Sequence, residues 1–170
     1  MAGRQRKTDA PENGEAGDYA KAMDAALKLL GYRPRTGREI ERRLREKGIS
    51  GSVAARVRRR LEEIGYVDDR QFALLWIKSR SGPQCRSAWL VKRELRRKGI
   101  DSELADEIVD EEYNEESVLE DACALVKRKL GRLGGSDEAK AMRRLQNMLL
   151  RRGFSYDFIK EVLKRVKGEL

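Results

Sequence analysis

The chain has 170 residues, and its 38 lysines and arginines outnumber its 29 aspartates and glutamates, which gives a formal net charge of +9. With 39% hydrophobic and 39% charged residues, the composition favours several small cores and a polyanionic or mixed protein and nucleic-acid partner. The apolar runs are too short for a membrane span or a secretory signal, so we expect a cytoplasmic protein without a membrane partner.

Residues that carry catalysis or bind metals are scarce. Cys85 and Cys123 stand far apart and the chain has no histidine, so we expect two free thiols, no metal site and no cofactor. The sequence contains no glycine-rich phosphate loop and no serine nucleophile motif. We therefore expect a protein that is not an enzyme, with carboxylate or lysine chemistry left open as a distant alternative.

In chain order, residues 1–17 show no apolar periodicity and predict a disordered tail. Apolar residues spaced three to four apart then predict three helices in each of three repeats, 18–65, 66–113 and 114–170. The predicted helices cover about 18–31, 36–47 and 50–64, then about 68–80, 86–98 and 102–113, and then about 115–131, 137–152 and 156–167. Thr36 and either Asp68 or Asp69 are predicted N-caps, and Gly134-Gly135 is a predicted break.

A seven-residue phrase recurs at Leu44–Ser50, Leu95–Asp101 and Leu149–Ser155. Each copy reads as the end of a helix, a glycine in the left-handed turn, and a Ser or Asp N-cap that opens the next helix. A period near fifty residues is typical of helical repeats. The sequence therefore predicts an all-α fold of three tandem three-helix repeats that form an elongated, curved array.

The same register predicts which side chains are buried. The middle helix of each repeat carries a pair of aliphatic residues one turn apart on its predicted core face: Ile40 and Leu44, Val91 and Leu95, Leu145 and Leu149. The aromatic residues expected in cores by the same spacing are Phe72, Trp76, Phe154 and Phe158. Trp89 lies one position off this stripe, so we expect it to be half exposed and available to a partner.

Several motifs follow one another in a distinctive order. They are Gly65-Tyr-Val-Asp-Asp69 with Phe72-Ala73, then Ser79-Arg80, then Arg93-Glu-Leu-x-x-Lys-Gly-Ile100, and then Arg152-Gly-Phe154. With the three repeats, these motifs resemble the RecX family of recombinase regulators. The stretch 83–89 departs from the family pattern, because it is less glycine-rich and less basic.

This resemblance implies a partner and an activity. A RecX-like protein would bind in the helical groove of the RecA filament on single-stranded DNA and inhibit recombinase, ATPase and coprotease activities. It would thereby act in DNA repair, DNA recombination and the SOS response. We expect a monomer, with direct DNA binding as an additional possibility.

Basic residues on the predicted outer faces are the candidate contacts with DNA phosphates or with an acidic recombinase surface. They are Arg42, Arg45, Arg58, Arg59, Arg60, Arg93, Arg96, Arg97, Lys98, Arg151 and Arg152. A solvated charged face is the alternative for most of them, and complementing the helix dipole is the alternative for Lys98 and Arg152.

Two further interpretations stay open. A helix-turn-helix-like protein that acts on duplex DNA is the second functional hypothesis, because the middle helices are basic. The stretch 101–121 contains eleven acidic residues and no basic residue. This stretch is a solvated helix face, or it repels DNA on one side, or it pairs with basic residues of the recombinase.

Overall fold

The computed structural model describes residues 13–132 and 138–168, which form helices and turns without any strand. The chain forms two compact units, and the boundary between them follows Asp69. The first unit contains α1 (Asn13–Tyr32), α2 (Gly37–Glu46) and α3 (Gly51–Glu63). The second begins at Arg70 and contains α4 (Asp69–Lys78, all but its first residue), a 3₁₀ turn (Gly82–Gln84), α5 (Ala88–Lys98), α6 (Ser102–Glu112), α7 (Glu115–Leu130), α8 (Glu138–Arg151) and α9 (Tyr156–Gly168).

The predicted all-α class is confirmed, and each predicted helix has a counterpart. Helix α1 begins at Asn13, which is earlier than the predicted start near Asp18. Residues 1–12 of the predicted tail and the Gly134-Gly135 break lie outside the described residues. The exact repeat boundaries and the curved arrangement stay predictions.

The recurring phrase ends one helix and begins the next in all three places. Gly48, Gly99 and Gly153 have φ values of 84°, 96° and 83°, in the left-handed region that glycine adopts without a Cβ penalty. The residue two positions later caps the following helix: side-chain oxygens of Ser50, Asp101 and Ser155 accept from backbone N–H groups of the first turn. The predicted punctuation is confirmed.

The described residues form three apolar cores, although Val67 belongs to the first core and Cys85 to the third, across the predicted repeat boundaries. Every aliphatic pair predicted on a middle helix is buried, with 2% exposure or less for each side chain. The first core lies in the first unit; the second and third lie in the second unit and share the partly buried Tyr113. Phe72 stacks on Trp76 with ring centroids 6.0 Å apart, and Phe154 stacks on Phe158 at 4.5 Å. The aromatic residues therefore pack as predicted.

The two cysteines are free and buried in the third core. Cys85 follows the 3₁₀ turn and is fully buried. Burial raises the pKa of its thiol, although the neighbouring Arg152 opposes this shift. Cys85 therefore packs as a small apolar residue at the start of the segment that leads into α5.

The start of α2 is capped from two sides. Thr36 accepts from Glu39 N at 3.1 Å, as predicted, while Asp69 Oδ1 accepts from Gly37 N at 2.9 Å. Asp69 is one of the two predicted N-caps of α4. In the structure it is the first residue of α4, and its side chain accepts a hydrogen bond from a backbone N–H of α2. A Cβ on Gly37 would lie 2.5 Å from Glu62 Oε1, so glycine allows the close approach of α3.

Candidate partner-binding surfaces

The middle helices α2, α5 and α8 expose the side opposite their buried stripes. Burial of the aliphatic pairs in the cores fixes which side chains of each helix point outward. The candidate basic residues of these helices therefore differ chiefly in whether an acidic side chain of the same chain neutralises them.

On α2, three arginines line an open surface depression of about 310 Å³ together with Glu41. Arg45 pairs with Glu41, and Arg42 Nε lies 3.6 Å from Glu46 Oε1. Arg38 is exposed and makes no ion pair within the described part of the chain. Arg38 is absent from the candidates predicted from the sequence. The repeat register could have indicated it, because Arg38 occupies the position in the first repeat that Trp89 occupies in the second.

The run Arg58, Arg59 and Arg60 on α3 separates into three environments. Arg58 donates to Glu62 Oε1 at 2.7 Å, and its Nε lies 3.2 Å from Glu41 Oε2 on α2. The hydrogen bond to Glu62 raises the pKa of Arg58. Arg60 makes an exposed pair with Glu63 at 3.3 Å, whereas Arg59 is exposed and unpaired among the residues described. Arg58 therefore links α2 to α3, and Arg59 is the exposed cation of this run that has no ion-pair partner within the described residues.

Helix α5 carries two neighbouring rows of cations with different surroundings. Lys92 Nζ lies 2.7 Å from Asp110, and Arg96 Nη2 lies 2.6 and 2.7 Å from the two carboxylate oxygens of Asp106. The second row is Arg93 and Arg97, which are exposed and have no ion pair in the described ranges. One row is thus neutralised by α6 and the other is left positively charged.

Acidic residues of α6 neutralise cations of two other helices. Besides the pairs with α5, Glu107 and Glu111 lie 2.6 and 2.7 Å from the guanidinium of Arg70 on α4. The hydrogen bond to Glu107 raises the pKa of Arg70. The sequence leaves three roles open for the acidic stretch 101–121: a solvated face, repulsion of DNA, or pairing with the recombinase. Among the described residues, the structure places five of its side chains in ion pairs within the second unit, including Glu116, which lies 3.1 Å from Arg165.

The cations before the second and third glycines contact the protein itself. Lys98 Nζ lies 4.8 Å above the ring of Trp76. Arg152 Nη1 donates to the carbonyl oxygens of Pro83 and Cys85 at 3.1 and 2.9 Å, and Arg152 O accepts from Ser87 N at 3.1 Å. Arg152 therefore holds the segment before α5 against the end of α8. Arg151, one residue earlier, is exposed and has no ion pair within residues 138–168 or 13–132.

Trp89 is 59% exposed, in agreement with the prediction. Arg93 lies over its ring, with the guanidinium carbon 5.4 Å from the ring centroid. Ser87 caps α5 just before Trp89, so the indole sits in the first turn of a well-defined helix.

Comparison with known proteins shows which family this chain belongs to. Models described as the first, second and third three-helix domains of RecX match residues 22–61, 68–108 and 115–163. A regulatory protein RecX of Amycolatopsis mediterranei is 39% identical over 155 residues, which cover 89% of this chain and 88% of that relative. The chain belongs to the RecX family. The regulatory protein RecX of Streptomyces coelicolor is 36% identical over 149 residues, covering 88% of this chain and 79% of its own length.

Solved RecX structures share the fold. The crystal structure of RecX from Lactobacillus salivarius superposes with a TM-score of 0.72 at 25% identity and covers 89% of this chain and 98% of its own. The resemblance to RecX seen in the sequence motifs is therefore confirmed. Among the described helices of this RecX-family chain, none is both long and apolar enough to cross a membrane.

Proposed function

We propose that this chain is a noncatalytic regulator of RecA that binds in the groove of the RecA filament on single-stranded DNA. Binding there inhibits the recombinase, ATPase and coprotease activities of the filament. Membership in the RecX family supports RecA as the partner. The protein acts as a monomer in the cytoplasm, and the proposal requires no covalent step and no cofactor.

The observation that carries the proposal is the set of exposed cations that the fold leaves without an internal counter-charge. Arg59, Arg93, Arg97 and Arg151 are the predicted contacts that have this property within the described residues. Such cations attract DNA phosphates or acidic protein surfaces from a distance. Arg58, Arg96 and Arg152 are less available to a partner, because each donates a hydrogen bond to another residue of the same unit. Arg42 and Arg45 are intermediate, since each has an acidic neighbour on its own helix.

RecA-catalysed strand exchange and DNA-dependent ATP hydrolysis test the proposal. The wild-type chain should inhibit both, and unchanged RecA activity at stoichiometric excess would contradict the proposed function. The double variant R97A/R151A should inhibit less, because it removes two exposed charges without removing a hydrogen bond. The control K160A/K164A removes two exposed charges from α9 and should inhibit as the wild type does.

Selection from random duplexes tests the helix-turn-helix alternative. A regulator of the RecA filament should enrich no sequence motif, since phosphate contacts carry no sequence information. An enriched motif would favour direct readout of duplex DNA by one of the repeats.

A further inference from the structure

We infer that Trp89, with Arg93 and Arg97, forms a stacking site for a base of single-stranded nucleic acid. This inference rests on the proposed function, because it names the part of the nucleoprotein partner that this helix contacts. The three residues are four positions apart on α5, so they form one stripe about 12 Å long. We call these residues the Trp89 stripe.

The exposure of Trp89 is the first step of the argument. Trp89 is 59% exposed although apolar side chains fill the core beneath the same helix, whereas Trp76 packs on Phe72 and donates its indole N–H to Glu94. The guanidinium of Arg93 lies over the indole of Trp89. An exposed indole beside a guanidinium offers a base both a stacking surface and a charge for its phosphate.

Trp89 is also held in place on one side. The position of a Cβ on Gly153 lies 3.4 Å from Trp89 Cε3 and 2.8 Å from Leu90 Cβ, so the turn after α8 passes close beside the first turn of α5. The hydrogen bond from Ser87 N to Arg152 O holds the same two segments together. An indole restrained in this way loses little conformational freedom when a base stacks on it.

Charge complementarity decides the occupant. Asp106 and Asp110 neutralise the Lys92 and Arg96 row, so the acidic residues of α6 are engaged on that side of the helix. The Trp89 stripe keeps two positive charges and presents no acidic side chain of its own. A base with flanking phosphates satisfies both the indole and the cations, and a stacked, base-paired duplex does not offer its bases in this way.

Intrinsic fluorescence in the absence of RecA tests the stacking directly. Addition of a thymine homo-oligonucleotide should quench the wild-type protein, which contains two tryptophans. The variant W89F, in which Trp76 is the remaining tryptophan, should lose this quenching while keeping its far-UV circular dichroism. A duplex of equal length should quench the wild type much less. Equal quenching of wild type and W89F, or none in either, would overturn the inference.

Affinity measurements separate stacking from charge. W89A should weaken binding of the oligonucleotide at least about fivefold, with an unchanged salt dependence, and W89F should be intermediate. R93A/R97A should lower the slope of log affinity against log salt by about 1.4, since each phosphate contact on a single strand contributes about 0.7. The control K160A/K164A should leave affinity and slope unchanged.

The same variants distinguish this inference from the proposed function. Quenching by the oligonucleotide together with unchanged RecA activity would refute the proposed function and leave the stacking site intact. A W89A variant that loses inhibition of RecA but binds the oligonucleotide like the wild type would mean that Trp89 contacts the protein part of the filament. This result would overturn the stacking site.

Discussion

Glu39 shows how one buried charge stabilises the first unit. Its side chain is 5% exposed and accepts a hydrogen bond from Arg33 Nη1 at 3.1 Å. It also pairs with Arg35, which is 10% exposed and donates through Nε to Leu29 O at 3.1 Å. The carboxylate thus ties the segment after α1 to the first turn of α2.

We expect E39Q to destabilise the protein by about 3 kcal/mol, because the largely buried guanidinium of Arg35 would lose its counter-charge. Urea unfolding followed by circular dichroism measures this loss. The matched control E63Q breaks the exposed pair between Glu63 and Arg60 and should cost less than about 1 kcal/mol. Similar losses for the two variants would show that the Glu39 pair contributes no more than a surface pair.

Glu39 should also make stability depend on pH. Burial alone would raise the pKa of this carboxyl, but the hydrogen bonds and charges of Arg33 and Arg35 overcome burial and hold the pKa below its ordinary value. The folded pKa is therefore lower than the unfolded pKa, so this contribution is complete above about pH 5 and is lost as the pH falls through the folded pKa. Unfolding midpoints should fall more steeply on acidification for the wild type than for E39Q, and parallel profiles would contradict this assignment.

At the residue scale, the sequence predicted burial better than it predicted bonding partners. Leu95 and Trp89 have the burial and exposure that the helical register predicted. Arg58 and Arg152 are candidates for partner contacts, yet Arg58 forms an ion pair with Glu41 and Arg152 donates a hydrogen bond to Cys85 O, both on other elements. The periodicity of one helix cannot show which carboxylate or carbonyl a second helix brings beside an arginine.

The recurring glycines allow backbone strain and packing to be separated at the scale of elements. Gly48 and Gly153 have nearly equal φ values of 84° and 83°. A Cβ on Gly48 would meet nothing within 4 Å, whereas a Cβ on Gly153 would lie 2.5 Å from Ser87 Oγ and 2.8 Å from Leu90 Cβ. The turn after α2 therefore has free space around its glycine, whereas the equivalent turn after α8 packs against the start of α5.

We expect G48A to destabilise the protein by about 1–2 kcal/mol, which is the cost of a left-handed alanine. G153A should cost about 1–3 kcal/mol more, because the methyl group would also push α5 away from the turn. Urea unfolding measures both variants, and the fluorescence of Trp89 should change in folded G153A but not in folded G48A. Equal destabilisation would mean that α5 moves aside freely.

At the same scale, the order and limits of the helices followed from local signals. Ser50, Asp101 and Ser155 are short-range caps that can be read within a few residues. The pairing of α6 with α4 and α5 was not predicted, because it joins residues such as Arg70 and Glu111 that are distant in sequence. A run of acidic residues in a sequence indicates that a basic partner is favoured. It does not indicate whether that partner belongs to the same chain or to another molecule.

At the scale of the whole molecule, we expect the positions of the charges to affect binding of single-stranded DNA more than the formal net charge of +9 does. Asp106 and Asp110 neutralise two cations of α5 beside the Trp89 stripe. The acids of α6 thus limit how many cations of this helix a nucleic acid can contact. Two proteins of equal net charge should therefore bind single-stranded DNA differently if different acidic residues are removed.

The double variant D106N/D110N tests this idea against E103Q/E120Q, since both add two positive charges to the net charge. D106N/D110N should bind a labelled single-stranded oligonucleotide more tightly, because it releases Lys92 and Arg96 next to the exposed row. Its slope of log affinity against log salt should steepen by about 1.4, which corresponds to two additional phosphate contacts.

Glu103 and Glu120 are exposed and make no ion pair within the described residues, so their removal should change the slope little. Fluorescence anisotropy between about 50 and 200 mM salt measures both slopes, and equal changes in the two variants would mean that net charge, and not the pairing of α5 with α6, controls binding.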